Sequence, residues 1–147
     1  MYRRILVATD GSKLSQKAVQ HALDLADITG ADVVALKVVP RYPQSYFEGG
    51  VALAAAEVAR IEKQWQTEAL AAVESVRSAG QLRGIKVKPV TAKSDLVSDA
   101  IIATAKRQKC DLIVMASHGR RGIKRLLLGS ETQQVLTHAN IPVLVLR

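Results

Sequence analysis

The stretch VMASHGRRGIKRLLLGSET, from Val114 to Thr132, sets three glycines (Gly119, Gly122, Gly129) and three hydroxyls around four cations, Arg120, Arg121, Lys124 and Arg125. Such residues could bind an anion. Glycines let backbone N–H groups converge on a phosphate, and a helix beginning at Gly129-Ser130 would add the positive end of its dipole. The same residues also suit a plain turn followed by a helix cap, and composition alone leaves the two readings equal.

A second candidate stands near the start of the chain, where the apolar run ILVAT ends in Asp10-Gly11-Ser12. The carboxylate could accept hydrogen bonds from a ribose or ligate a metal, or simply start the turn into a helix. Other nucleotide signatures are missing: there is no G-x-x-x-x-G-K-[ST], and no G-x-G-x-x-G follows the first strand. The single cysteine, Cys110, excludes an internal disulfide and a cysteine-built zinc site. It reads as a small buried thiol before a strand, because no neighbour would lower its pKa. His118 reads as structural or solvent-facing. His21 and His138 have no evident partners, so neither a Ser–His–Asp arrangement nor a metal cluster can be assembled.

Apolar periodicity supplies the elements that would position these residues. Short, nearly continuous apolar runs mark strands at 5–9, 32–39, 85–90, 111–117 and 142–146. The third alternates with lysines and contains Pro89, which suits an edge strand. Helical spacing covers 12–29 with Ser12 as N-cap, and 50–79 with Val58, Ile61, Trp65, Ala69, Ala72 and Val76 on one face and Gly80 as the stop. It recurs over 95–108 with Leu96, Ile101, Ile102 and Ala105, and over 131–138, where Ser130 to Gln133 has the spacing of a capping box. The irregular segment 40–50 reads equally well as a self-packed loop or as a flap over a pocket.

This alternation implies an α/β fold: one doubly wound, open sheet of five parallel strands with helices on both faces, in a single domain over residues 1–147. Ligands then bind beyond the carboxyl ends of the strands, where strand order reverses. Apolar residues make up 48% of the chain and charged residues 23%, as in a globular protein. No apolar run approaches the roughly 18 residues of a membrane span. The opening MYRRILVATDGS reads as a strand rather than a leader, so a cytoplasmic protein is expected. The net charge of +8 favours anionic partners. Nucleic acid is disfavoured, because the clustered cations sit in one loop and no basic, aromatic-studded sheet is evident.

The opening ILVATDGS, the second-strand ALKVV and the closing LLLGSETQQVLTHANIPVLVL resemble, in order and over essentially the whole chain, the universal stress protein A family. Its nucleotide-binding members carry G-x-x-G, nine residues, then G-[ST]. In that register this chain reads Ala116-Ser-His-Gly119, nine residues from Arg120 to Leu128, then Gly129-Ser130. Ala116 replaces the first glycine. Its N–H survives, but its methyl group takes room, and a left-handed backbone there would be costly.

The resemblance implies a Rossmann-like, adenine nucleotide alpha hydrolase-like fold with ATP as ligand. Thr9 and Asp10 would lie beside the nucleotide, and the main chain of Val38 would meet the adenine edge. Ala116, Gly119, Gly129, Ser130 and Glu131 would hold ribose and phosphates, largely through main-chain N–H groups. Met115 would line the same wall, and Arg120 with its cationic neighbours would supply a favourable field. Mg²⁺ would accompany ATP by bridging the phosphates, with no protein ligand assigned to it.

The last strand, IPVLVLR, is an apolar edge that invites pairing with a second copy. Family members commonly dimerise through this element, which implies a homodimer with Val143 and Val145 near its axis. The expected function is therefore an ATP-binding, stress-response regulatory homodimer acting on an unidentified protein partner. The alternative, to which Ala116 points, is an interaction protein of the same fold that binds no nucleotide. Any hydrolysis is expected to be slow, because no residue is evidently placed to position water.

Overall fold

The computed structural model describes residues 1–42, 55–119 and 128–147. In chain order the elements are β1 (Arg4–Ala8), α1 (Lys13–Thr29), β2 (Asp32–Val39), α2 (Ala55–Gln81), β3 (Val87–Lys93), α3 (Val97–Arg107), β4 (Leu112–Ala116), α4 (Ser130–His138) and β5 (Val143–Leu146). The strands form one sheet in the order β3-β2-β1-β4-β5, and all its pairings are parallel.

The continuous apolar runs are explained by burial on both faces. Ile5, Leu6 and Val7 are consecutive and each fully buried. Ile5 and Val7 pack with Ala18 and Ala22 of α1 and Val73 of α2, while Leu6 packs on the opposite face with Ile101 of α3 and Val135 of α4. The sheet is thus wound on both sides, as the alternation requires.

β3 lies at one edge, as its lysines and Pro89 imply, but it runs from Val87 to Lys93 rather than over 85–90. Its partner β2 is long, and pairing continues to Val39↔Lys93. Leu96 is not on the buried face of α3; it precedes the helix as N-cap and is 59% exposed. Most of the segment 40–50 falls outside the described residues. Of its aromatics, Tyr42 stacks on Trp65 with ring centroids 6.1 Å apart.

Gly80 does not stop α2. It is a buried residue within the helix, and the chain turns at Gly84, whose φ of +71 suits glycine. What selects glycine at position 80 is close approach: a Cβ there would collide with the Val87 side chain and lie 3.3 Å from the Ile85 carbonyl oxygen. The start of the expected helix, residues 50–54, lies outside the described residues.

Intrinsic propensity would favour Gly80→Ala by about 0.5–1 kcal/mol. Val87 is β-branched and cannot swing aside, so overpacking of roughly 1–3 kcal/mol should win. Urea denaturation should show Gly80→Ala to be less stable than the parent chain. A gain in stability would contradict this account of the α2–β3 contact.

Candidate functional site

β1 and β4 are neighbours, yet α1 packs on one face of the sheet and α3 and α4 on the other. Between their carboxyl ends lies the switch point at which such sheets bind ligands. A cavity of about 210 Å³ opens there. Its apolar lining comes from Leu36, Val38, Met115, Val97 and Ile101. Its polar lining includes Thr9, Asp10, His118, Gly119, Glu131 and Thr132. An apolar lining with a few convergent polar groups suits a small organic ligand that carries a polar part.

The β1 end is held by local hydrogen bonds. Asp10 Oδ1 accepts from the Ser12 N–H at 2.9 Å, and Ser12 Oγ accepts from the Ser15 N–H at 3.2 Å, capping α1. The Thr9 hydroxyl meets that of Ser15 at 3.2 Å. Asp10 therefore does initiate the turn into α1, and it also lines the cavity. Its Oδ2 would lie 3.0 Å from a Cβ placed on Gly119, so Gly119 gives the carboxylate its clearance across the crevice.

β2 contributes its main chain. Thr9 donates its N–H to the Leu36 carbonyl at 2.9 Å, whereas Ser94 donates to Val39 at 2.9 Å from the β3 side. Alternation along the strand turns the N–H and C=O of Val38 back toward β1, which has already ended at Ala8. These groups face the cavity side of the sheet rather than a neighbouring strand.

The start of α4 is drawn tightly onto the end of β4. Gly129 donates its N–H to the Ser117 carbonyl at 2.8 Å. The Thr132 hydroxyl, buried, is shared between the Ala116 and Ser117 carbonyls at 3.0 and 3.1 Å. A Cβ on Gly129 would sit 3.2 Å from His118 Cα, which explains glycine here without any special backbone angle. Two expectations are corrected. Gly129, not Ser130, is the N-cap, and no capping box forms; the Gln133 side chain instead donates to the Leu128 carbonyl at 2.9 Å. The Gly129 N–H is also committed to Ser117, so the donors facing outward from this helix are those of Ser130, Glu131 and Thr132, which have no intrahelical acceptor.

Ala116 is an ordinary strand residue paired in register with Leu146. Among the described residues the only non-glycine with positive φ is Lys109, so the alanine carries no backbone strain. Thr9, Asp10, Val38, Met115, Ala116, Gly119 and Glu131 all border the cavity. Gly129 and Ser130 lie beside it without lining it, and Arg120 falls outside the described residues. Leu36, Val97, Ile101 and Thr132 escaped the sequence reading. The α3 residues gave only the signal of a core-facing helix, but Thr132 could have been suspected as a hydroxyl in the first turn of α4.

Cys110 is buried, and burial pushes its thiol up to about 11, which keeps it protonated and poorly nucleophilic at neutral pH.

Residues 1–147 match the Universal stress protein family. The chain belongs to the universal stress protein family. It is 33% identical to universal stress protein MJ0531 of Methanocaldococcus jannaschii, over 100% of this chain and 83% of that one. Its fold superposes on UspA from Lactobacillus plantarum with a TM-score of 0.85 at 24% identity, covering 99% of this chain and 98% of the other. A universal stress protein in complex with cAMP aligns with a TM-score of 0.72 at 24% identity, over 99% and 97%. One from Archaeoglobus fulgidus in complex with dAMP aligns at 0.64 and 18%, over 99% and 98%. The open, all-parallel five-stranded sheet is the fold these structures share with this chain.

Proposed function

We propose that this universal stress protein binds an adenine nucleotide, ATP in our reading, in the crevice between β1 and β4. The observation that carries the proposal is the cavity itself: an apolar slot that meets the main chain of Val38 on one side and the first turn of α4 on the other. In this reading adenine fills the slot between Met115 and Ile101 and takes its edge hydrogen bonds from Val38. Ribose lies by Thr9 and Asp10, and the phosphates by Ala116, Gly119 and the N–H groups of Ser130, Glu131 and Thr132, next to Gly129. Relatives in complex with cAMP and dAMP support the ligand class. The sequence cluster around Arg120 favours polyphosphate within that class.

A Mg²⁺ ion would enter with the phosphates. Asp10 and Glu131 each already accept a main-chain N–H, and among the described residues no group of three potential ligands stands ready for a metal. Binding rather than turnover is the activity we assign, with occupancy regulating a protein partner in a stress response. The lack of strain at Ala116 removes the backbone argument for a non-binding member of the fold and leaves only the room that its methyl group takes.

We also infer a homodimer through β5. Among the described residues that strand is an edge whose one partner is β4; Leu144 is exposed, and Val143 and Val145 are half-buried.

Protein purified without added nucleotide, then denatured, should release near-stoichiometric ATP in calibrated mass spectrometry. Absence of any nucleotide, with no heat on titrating Mg-ATP, would overturn the proposal and leave an interaction protein of this fold. Val145→Lys should convert dimer to monomer in light scattering, and an unchanged dimer would refute the β5 interface.

A further inference from the structure

α3 begins without a cap of its own. Its N-cap is Leu96, which has no side-chain acceptor, and the nearby Ser94 hydroxyl is engaged with the N–H and carbonyl of Leu96 at 3.1 and 3.2 Å. The acceptor comes instead from another helix. Glu131, in the first turn of α4, accepts the Ser98 N–H through Oε2 at 2.9 Å, across 33 positions of sequence. A carboxylate at a helix N-terminus is favoured both by the hydrogen bond and by the helix dipole. Both helix starts joined in this way border the cavity, as does that of α1 through Ser15: Val97 and Ile101 of α3 and Glu131 and Thr132 of α4 line it.

We propose that Glu131 is a positioning residue for the nucleoside part of the ligand. It acts through Ser98, holding the first turn of α3 so that Val97 and Ile101 close the apolar slot. The inference rests on the adenine-nucleotide reading and refines it: the Glu131 side chain serves the base, although its main-chain N–H faces the phosphates. It also predicts indifference to phosphate number, because the carboxylate is committed to α3.

The test measures adenosine, ATP and inorganic tripolyphosphate binding by calorimetry, together with exchange of the Ser98 amide in unliganded protein. Glu131→Ala should weaken adenosine and ATP by the same factor, about five- to tenfold, the size expected for partial loss of one charged hydrogen bond. Tripolyphosphate binding should not change, and the Ser98 amide should exchange faster. Glu131→Gln, whose amide oxygen can still accept, should return nucleoside affinity to within about twofold of the parent chain. Tighter ATP and tripolyphosphate binding by Glu131→Ala, with adenosine unaffected, would overturn the proposal in favour of a carboxylate that merely repels phosphate. Unaltered affinities with an unaltered Ser98 exchange rate would overturn it outright. A parent chain that binds neither adenosine nor ATP would instead sink the nucleotide reading, and with it the ligand role of Glu131.

Discussion

Everything about the site follows from one constraint of connectivity. β1 and β4 are hydrogen-bonded neighbours, but the chain leaves them toward opposite faces of the sheet. No helix can then cover the space directly beyond both carboxyl ends, and a crevice opens there whatever the side chains are. The side chains decide only what the crevice holds. Here Leu36, Met115 and Ile101 give it an apolar lining, while Thr9, Asp10 and the start of α4 supply polar groups.

Keeping the crevice open is a matter of anchoring α4 without filling the gap. Gly129 brings the helix within van der Waals distance of the Ser117–His118 backbone, and the buried Thr132 hydroxyl ties it to the last two carbonyls of the strand region. Each buried hydrogen bond adds only about 1 kcal/mol net, but leaving those groups unpaired would cost more. The geometry is therefore specified by satisfaction of polar groups as much as by apolar packing. The outward-facing N–H groups of Ser130 to Thr132 follow from that placement, since a helix start always leaves such donors over.

The fold was largely legible because burial on both faces leaves a plain signature. Runs such as ILVAT and DVVALKVV can hardly be anything but central parallel strands, and β2 spans Asp32–Val39 as its pattern indicates. Legibility failed where tertiary contact replaced local preference. Gly80 looks like a helix stop because glycine usually is one, yet here it admits Val87 to the helix surface. Ser130 looks like a cap because Ser-x-x-Gln is a cap spacing, but the bond between Gly129 and Ser117 shifts the helix start by one residue. The site divided in the same way. Asp10, Ala116 and Gly119 are visible at strand ends, where ligands bind in such sheets, whereas Met115 comes only from the family resemblance. Val97 and Ile101 were hidden, because a crossover helix reveals its inward face but not which end of the sheet that face will border.

The chain shares its open, all-parallel sheet with the solved structures of its family. In this chain the crevice beyond that sheet has no backbone strain at Ala116, and the Glu131–Ser98 contact joins the starts of α3 and α4 beside it. The most direct test of the central claim is to follow main-chain amide resonances by NMR while ATP is added. The account predicts the largest shifts at Val38, Gly119 and Ser130 to Thr132, with little change at Gly30 and Gly84 on the opposite end of the sheet. Shifts confined to surface residues away from the β1–β4 crevice, or no shifts at saturating ATP, would contradict it.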